Sequence, residues 1–260
     1  MHFEPRFKTL VELLDHAVQQ HGGRDLFGTK KDGRWTWTTY REFGSLVDRL
    51  RAGLSSLGVQ RGHNVAIIAN NRVEWAVAAY ACYGLGAAFV PMYEAQHPKE
   101  WEFIVRDCEA KVLIVASEGI LAKVRAFASN IPSLHALVVI DERTNGGRRD
   151  APERETTFAA LLATDRAVPS IRPQPGDVAG LIYTSGTTGN PKGVMLTHSN
   201  IASNVSAIAD IFSVELADRS LSFLPWAHVF GQSVELHVLL SRGAAMALCE
   251  GVDRILDNLV

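Results

Sequence analysis

The chain has 260 residues, of which 47% are hydrophobic and 21% charged, a composition that excludes a largely disordered protein. Its formal net charge of -2 is spread over both signs, so no basic footprint marks nucleic acid or an anionic membrane as a primary partner. The three cysteines, Cys82, Cys108 and Cys249, stand singly without CxxC or Cys/His ligand spacing, and they read as small buried hydrophobes in a reducing, cytoplasmic compartment.

In chain order, residues 1–5 lack the basic segment and apolar core of a secretory signal. The clearest helix is predicted over 40–57. Its apolar residues Phe43, Leu46, Val47, Leu50, Leu54 and Leu57 form one stripe, with Thr39 and Glu42 as a capping box and Gly58 as the stop. Buried strands are predicted at 65–69, 87–92, 111–116, 136–140, 178–183, 220–224 and 244–248, with helices at 72–83, 99–108 and 201–212, the last capped by Ser199. The apolar window 75–90 is too short to cross a membrane and is broken by Gly84 and Gly86. Trp35, Trp37, Trp75 and Trp101 read as packing residues. Residues 142–155 are charged and aperiodic and read as an exposed loop, while the prolines of 165–177 mark an extended connector. This alternation predicts an α/β fold of layered, largely parallel sheets flanked by helices. A first layered subdomain is expected over about 1–175, and the start of a second over 176–260.

The most informative stretch is Tyr183-Thr184-Ser185-Gly186-Thr187-Thr188-Gly189-Asn190-Pro191-Lys192-Gly193. Gly186, Gly189 and Gly193 allow close backbone approach to a ligand, and Thr184, Ser185, Thr187 and Thr188 add donors for phosphate oxygens or magnesium. Lys192 supplies a mobile positive charge. The spacing is not that of a P-loop. Counted from Gly186, the second glycine position is Pro191, which has no N–H, and the hydroxyl residue due after the lysine is Gly193. About fifteen residues between strand and helix is a loop length that signals function.

This run, continued by Val194-Met195-Leu196-Thr197-His198, resembles the phosphate-binding signature of the adenylate-forming enzymes: acyl-CoA synthetases, luciferases and peptide-synthetase adenylation domains. The segments 35–40, 58–71 and 84–91 also resemble that family's N-terminal region, in the right order. The resemblance implies ATP, Mg2+ and a carboxylic acid as ligands, with CoA as co-substrate. It places the loop over the β- and γ-phosphates, with Thr184 on the metal, Thr187 and Thr188 on phosphate oxygens, and Lys192 on the leaving pyrophosphate. A second segment, Leu224-Pro225-Trp226-Ala227-His228-Val229-Phe230, resembles the family's P-x-A-H motif, which sets His228 beside the carboxylate and the acyl pocket. No aspartate lies between Leu224 and Gln232, and an unpaired substrate ammonium among Trp226, Val229 and Phe230 would be costly. A plain acid is therefore expected, and the wording most resembles medium- to long-chain fatty acyl-CoA synthetases.

Family members continue with an acidic magnesium motif, a ribose-binding aspartate, a hinge and a small C-terminal domain, none of which follows here. The resemblance thus implies an incomplete N-terminal large domain with little ligase activity on its own and with apolar surface exposed at its edge. Two other readings stand beside it: an aryl-acid or luciferase-like member, and a non-catalytic nucleotide-binding or interaction module. Acyl-chain length, oligomeric state and peripheral membrane association stay open.

Overall fold

The first helix, α1 (Leu10–His21), begins where the Thr9 side chain accepts the Glu12 N–H, and it buries Leu10, Leu13, Leu14 and Ala17. A hairpin follows, β1 (Asp25–Lys31) and β2 (Arg34–Thr39), and then α2 (Tyr40–Ser56), whose capping box between Thr39 and Glu42 is present on both sides. The computed structural model describes residues 4–141, 153–184 and 191–259.

From here strands and helices alternate: β3 (Asn64–Ile68), α3 (Val73–Leu85), β4 (Ala88–Met92), α4 (Pro98–Asp107), β5 (Val112–Ser117), α5 (Glu118–Ala128), β6 (Ala136–Asp141), β7 (Glu155–Thr157) and α6 (Phe158–Leu162). The rest of the described chain comprises β8 (Val178–Thr184), β9 (Lys192–Thr197), α7 (His198–Ile211), β10 (Arg219–Ser222), a π-helical stretch Gly231–His237, α8 (Val238–Arg242), β11 (Ala245–Leu248) and α9 (Ile255–Asn258).

These strands make two sheets. One has seven strands in the order β7-β6-β5-β3-β4-β8-β9, parallel except for the antiparallel edge strand β9. The other has four, in the order β10-β11-β1-β2. The break expected near residue 175 does not separate them. β8 and β9 complete the sheet begun by β3, while β1, besides its hairpin partner β2, pairs with β11, more than 200 residues later, so each sheet draws on both sides of that boundary. Of the expected exposed loop 142–155, residues 142–152 lie outside the described residues, and Glu155 opens β7, which pairs with β6.

The core is continuous. α3 is apolar around its whole circumference and is buried from Trp75 to Leu85, as a helix between other layers must be. It packs on α2 and β4, and α2 also meets β1, so these helices lie between the sheets. A line of ring contacts crosses the same layer: Phe27 of β1 to Trp226 at 5.8 Å, Trp226 to Trp75 at 5.6 Å, and Trp75 to Phe89 of β4 at 4.8 Å. Trp75 and Trp101 are buried, as expected, whereas Trp35 and Trp37 are only half-buried on β2. There they are covered by cations, Lys30 over Trp35 and Arg219 over Trp37. Cys82 and Cys108 are buried and all three cysteines are free. No helix among the described residues is long and apolar enough to cross a membrane. The large exposed apolar residues of the described chain all follow residue 190, among them Met195, Phe212, Phe230, Val252 and Leu256.

Two histidines sit in this core. His237 shares a 2.8 Å hydrogen bond with the Tyr80 hydroxyl, and the Leu10 N–H donates to His198 Nδ1 at 3.3 Å. Burial holds both rings neutral, lowering His237 to about 3 and His198 to about 4. Below the ordinary histidine pKa of about 6.5 the unfolded chain binds protons that the folded chain refuses, so stability is full above that value and falls as pH drops toward the folded pKa values. At pH 5 the expected loss is about 2 kcal/mol per histidine. Urea unfolding at pH 7.5 and pH 5.0 measures it, with His237→Asn flattening the slope; equal stability at the two pH values would contradict this account.

Candidate active site

The described ends of the signature run belong to two paired strands. β8 and β9 pair antiparallel with Thr184 opposite Lys192 and Tyr183 opposite Gly193. The expectation of a long loop running straight into a helix is therefore corrected: β9 intervenes, and α7 starts at His198. The helix cap is Thr197 rather than Ser199. Thr197 Oγ1 accepts the Asn200 N–H at 3.2 Å and Asn200 Oδ1 accepts the Thr197 N–H at 3.0 Å, a capping box. Ser185, Gly186, Thr187, Thr188 and Gly189 lie outside the described residues. Thr184 and Lys192, the two candidate residues at the stem, face each other across the hairpin and are both exposed.

The stem is fastened from one side. The Tyr183 hydroxyl donates to Asp107 Oδ2 at 2.5 Å, at the end of α4, and its pKa is raised, first by burial and then by that bond. The ring lies over Gly193. A Cβ there would stand 2.9 Å from the ring carbon Cζ and 3.1 Å from the hydroxyl, which explains the glycine better than any need for backbone freedom. The stem thus brings together a hydroxyl, a lysine and an exposed strand edge, whose Val194 and Met195 are 45% and 67% exposed.

His228 stands on a separate element, the turn after β10. The His228 N–H donates to the Pro225 carbonyl at 3.0 Å, and the Phe230 N–H donates to His228 Nδ1 at 3.2 Å. That second bond requires the Nδ1 lone pair, so in the neutral ring the proton sits on Nε2. The imidazole is exposed, and so are Val229 and Phe230. Trp226 is not part of an acyl-lining surface, as the sequence suggested, because its side chain is fully buried between the sheets.

Two polar residues that sequence reasoning passed over hold this turn. Asn71, just beyond β3, donates from Nδ2 to the Leu224 carbonyl and accepts the Trp226 N–H, both at 2.8 Å. Glu235, in the π-helical stretch, accepts from Ser222 Oγ at 2.5 Å, from Trp226 Nε1 at 2.9 Å and from the Phe223 N–H at 3.3 Å. Burial raises the Glu235 carboxyl pKa, and these hydrogen bonds oppose the rise. A signal was available: Glu235 is an acid seven residues past His228 in an apolar stretch, where a buried carboxylate needs partners. Beside the turn, the carboxyl ends of β3, β4, β10 and β11 surround a cavity of about 260 Å³ lined by Asn70, Asn71, Tyr93, Phe223, Pro225 and Glu250 among others.

No group of three His, Cys, Asp or Glu side chains that could hold a metal occurs among the described residues. Thr184 offers one exposed hydroxyl oxygen at the hairpin stem. That suits magnesium, which keeps several waters and takes much of its remaining coordination from substrate phosphates.

An α/β scaffold with these two sheets is the one that adenylate-forming enzymes use in their N-terminal part. The anthranilate CoA ligase AuaEII, solved with anthranoyl-AMP, superposes with a TM-score of 0.80 at 26% identity, covering 98% of this chain and 48% of that one. A Mycobacterium tuberculosis fatty acyl CoA synthetase superposes with a TM-score of 0.81 at 23% identity over 99% of this chain and 48% of its own, a likeness of fold. The family of AMP-binding enzymes matches residues 14–260, and the chain belongs to that family. It is similar to the peroxisomal long chain acyl-CoA synthetase 6 of Arabidopsis thaliana, 31% identical over 98% of this chain and 38% of that protein. It is also 33% identical to the long-chain-fatty-acid–CoA ligase FadD15 of Mycobacterium bovis, over 81% of this chain and 35% of that protein. The chain thus spans a little over a third of the length of these curated relatives.

The Tyr183 clamp yields a direct expectation. Gly193→Ala should destabilise the fold by about 1–3 kcal/mol through overpacking against a ring that Asp107 holds in place. In a Tyr183→Phe background, where that hold is gone, the same substitution should cost less. Chemical denaturation of the four proteins in this cycle measures the difference, and equal costs in both backgrounds would rule the clamp out.

Proposed function

We propose that the protein serves as the phosphate-binding and acid-binding part of an ATP-dependent acid–thiol ligase acting on a medium- or long-chain fatty acid. The supporting observation is the strand pairing that sets Thr184 opposite Lys192, in a chain that belongs to the AMP-binding enzymes.

In this reading the fatty acid's carboxylate oxygen attacks the α-phosphorus of ATP. The bond to the bridging oxygen breaks, and pyrophosphate leaves with that electron pair. Two anions must approach, so the barrier is largely electrostatic. Lys192 pairs with the departing pyrophosphate, and Ser185, Thr187, Thr188 and the N–H groups of Gly186 and Gly189 cradle its oxygens. Thr184 supplies one ligand to magnesium, whose contribution when bound is neutralisation of phosphate charge. His228 stands at the acid side, with Nδ1 occupied by the Phe230 N–H and Nε2–H as the donor to the reacting carboxylate. In the second half-reaction the CoA thiol loses its proton to solvent and its sulfur bonds to the acyl carbon, the bond from that carbon to the phosphate oxygen breaks, and AMP leaves with that electron pair.

The preference for a fatty acid rests on the 31% and 33% identity to enzymes named for long-chain acids and on the lack of an aspartate between Leu224 and Gln232. An aryl acid is the second reading, favoured by the 26% identity to an anthranilate CoA ligase. The unpaired cysteines support a reducing compartment, the cytoplasm or, as named for the Arabidopsis relative, the peroxisome.

The test is ATP–pyrophosphate exchange by the full-length gene product with palmitate and with benzoate. Lys192→Ala and Thr188→Ala should each slow palmitate-dependent exchange at least about tenfold, equivalent to about 1.4 kcal/mol. Unchanged exchange in both variants would remove the phosphate role, and exchange with benzoate alone would replace the fatty acid by an aryl acid.

A further inference from the structure

Segment 222–228 carries little regular structure of its own after β10 ends at Ser222, yet it is held from three directions. Asn71 reaches it from the loop after β3, accepting the Trp226 N–H and donating to the Leu224 carbonyl, each at 2.8 Å. Glu235 reaches it from the π-helical stretch with three accepted hydrogen bonds, two of them on one oxygen, Oε2, from Ser222 and Trp226. Gly231 closes the third side. A Cβ there would meet the Pro225 carbonyl oxygen at 2.4 Å, so only glycine lets the turn sit on the start of this helix.

Glu235 is 6% exposed, and among the described residues no ion pair neutralises it. A buried carboxylate without a cation is an expensive way to fill space, since an apolar residue of the same volume serves packing better. What it offers instead is acceptor capacity. It takes hydrogen bonds from a main-chain N–H, a hydroxyl and an indole at once, all on the segment that ends in His228. π-helical turns are rare and are found frequently at functional sites. The tip of the turn, by contrast, is bare: His228, Val229 and Phe230 are all exposed.

We propose that Asn71 and Glu235 are positioning residues that fix the Pro225–His228 turn, so that the imidazole meets the fatty acid's carboxylate in one orientation. This rests on the reading of His228 as the acid-side group. The pair acts on acid binding and leaves the nucleotide hairpin alone, because Thr184 and Lys192 are held by β8–β9 pairing and by Tyr183, at the edge of the seven-stranded sheet.

Glutamine at 235 keeps the size and loses the charge, and it must point an NH2 at one of the three donors. With the NH2 at the Oε2 position, Ser222 rotates to accept, but the indole N–H of Trp226 has no such freedom. Phenylalanine at 226 removes that donor. The experiment is steady-state exchange by the full-length gene product with palmitate and ATP varied in turn. Asn71→Ala and Glu235→Gln should each raise the KM for palmitate about tenfold while the KM for ATP changes less than about twofold. In the Trp226→Phe background Glu235→Gln should cost about threefold or less in the palmitate KM. Should Glu235→Gln not fold, Ser222→Ala carries the same expectation at smaller size.

Palmitate and ATP constants that stay at wild-type values, or that rise together, would overturn the positioning role. His228→Ala separates the two levels. If His228→Ala impairs exchange while Asn71→Ala and Glu235→Gln do not, only the positioning falls. If His228→Ala exchanges as wild type does, the acid-side reading falls and takes the positioning with it.

Discussion

The side chain on which the rest of this structure turns is the indole of Trp226. Its ring sits between Phe27 of the four-stranded sheet and Trp75, which in turn meets Phe89 of the seven-stranded sheet. Its Nε1–H is given to a buried carboxylate, and its main-chain N–H to Asn71. A large ring with one polar handle suits such a place, since it brings dispersion contacts on both faces and a direction at one edge. The spacing of the two sheets and the path of the His228 turn are therefore set by one residue.

That arrangement divides the candidate site into two mechanically different halves. The turn that carries His228 is tied to the interior by hydrogen bonds from both sheets' neighbourhoods, with Asn71 just beyond one sheet's β3 and Ser222 at the end of the other's β10. The β8–β9 hairpin hangs from an edge. Among the described residues β9 pairs only with β8, its residues from Lys192 to Met195 are exposed, and Tyr183 with Asp107 provides a side-chain tie at its stem. On such an edge little packing is disturbed when the backbone adjusts, whereas a turn tied to the interior keeps its side chains in one orientation.

Much of this was legible in the sequence where local signals and burial agree. The stripe from Phe43 to Leu57, its Thr39–Glu42 box and the parallel strands all follow from patterns that tertiary packing reinforces. β9 was not legible. Its six residues, KGVMLT, lie on an edge with both faces partly in water, so no alternation is enforced, and their strand character comes from β8 beside them rather than from their own order. The two-sheet topology was hidden for a similar reason. Nothing local in residues 25–39 announces that β1 will pair with Ala245–Leu248.

Trp226 shows where motif reading misplaces a residue even while it locates the site. Within Leu224–Phe230 the sequence sets Trp226, Val229 and Phe230 together as surroundings of the substrate. In a tight turn successive residues point in different directions, and here Trp226 goes inward while His228, Val229 and Phe230 go outward. The polar residues that decide which way each one points, Asn71 and Glu235, are 155 and 9 residues away from Trp226 in sequence. A motif records the groups that meet the substrate. The groups that aim them are scattered along the chain, and their signature is physical: a buried amide and a buried carboxylate that would be costly anywhere else.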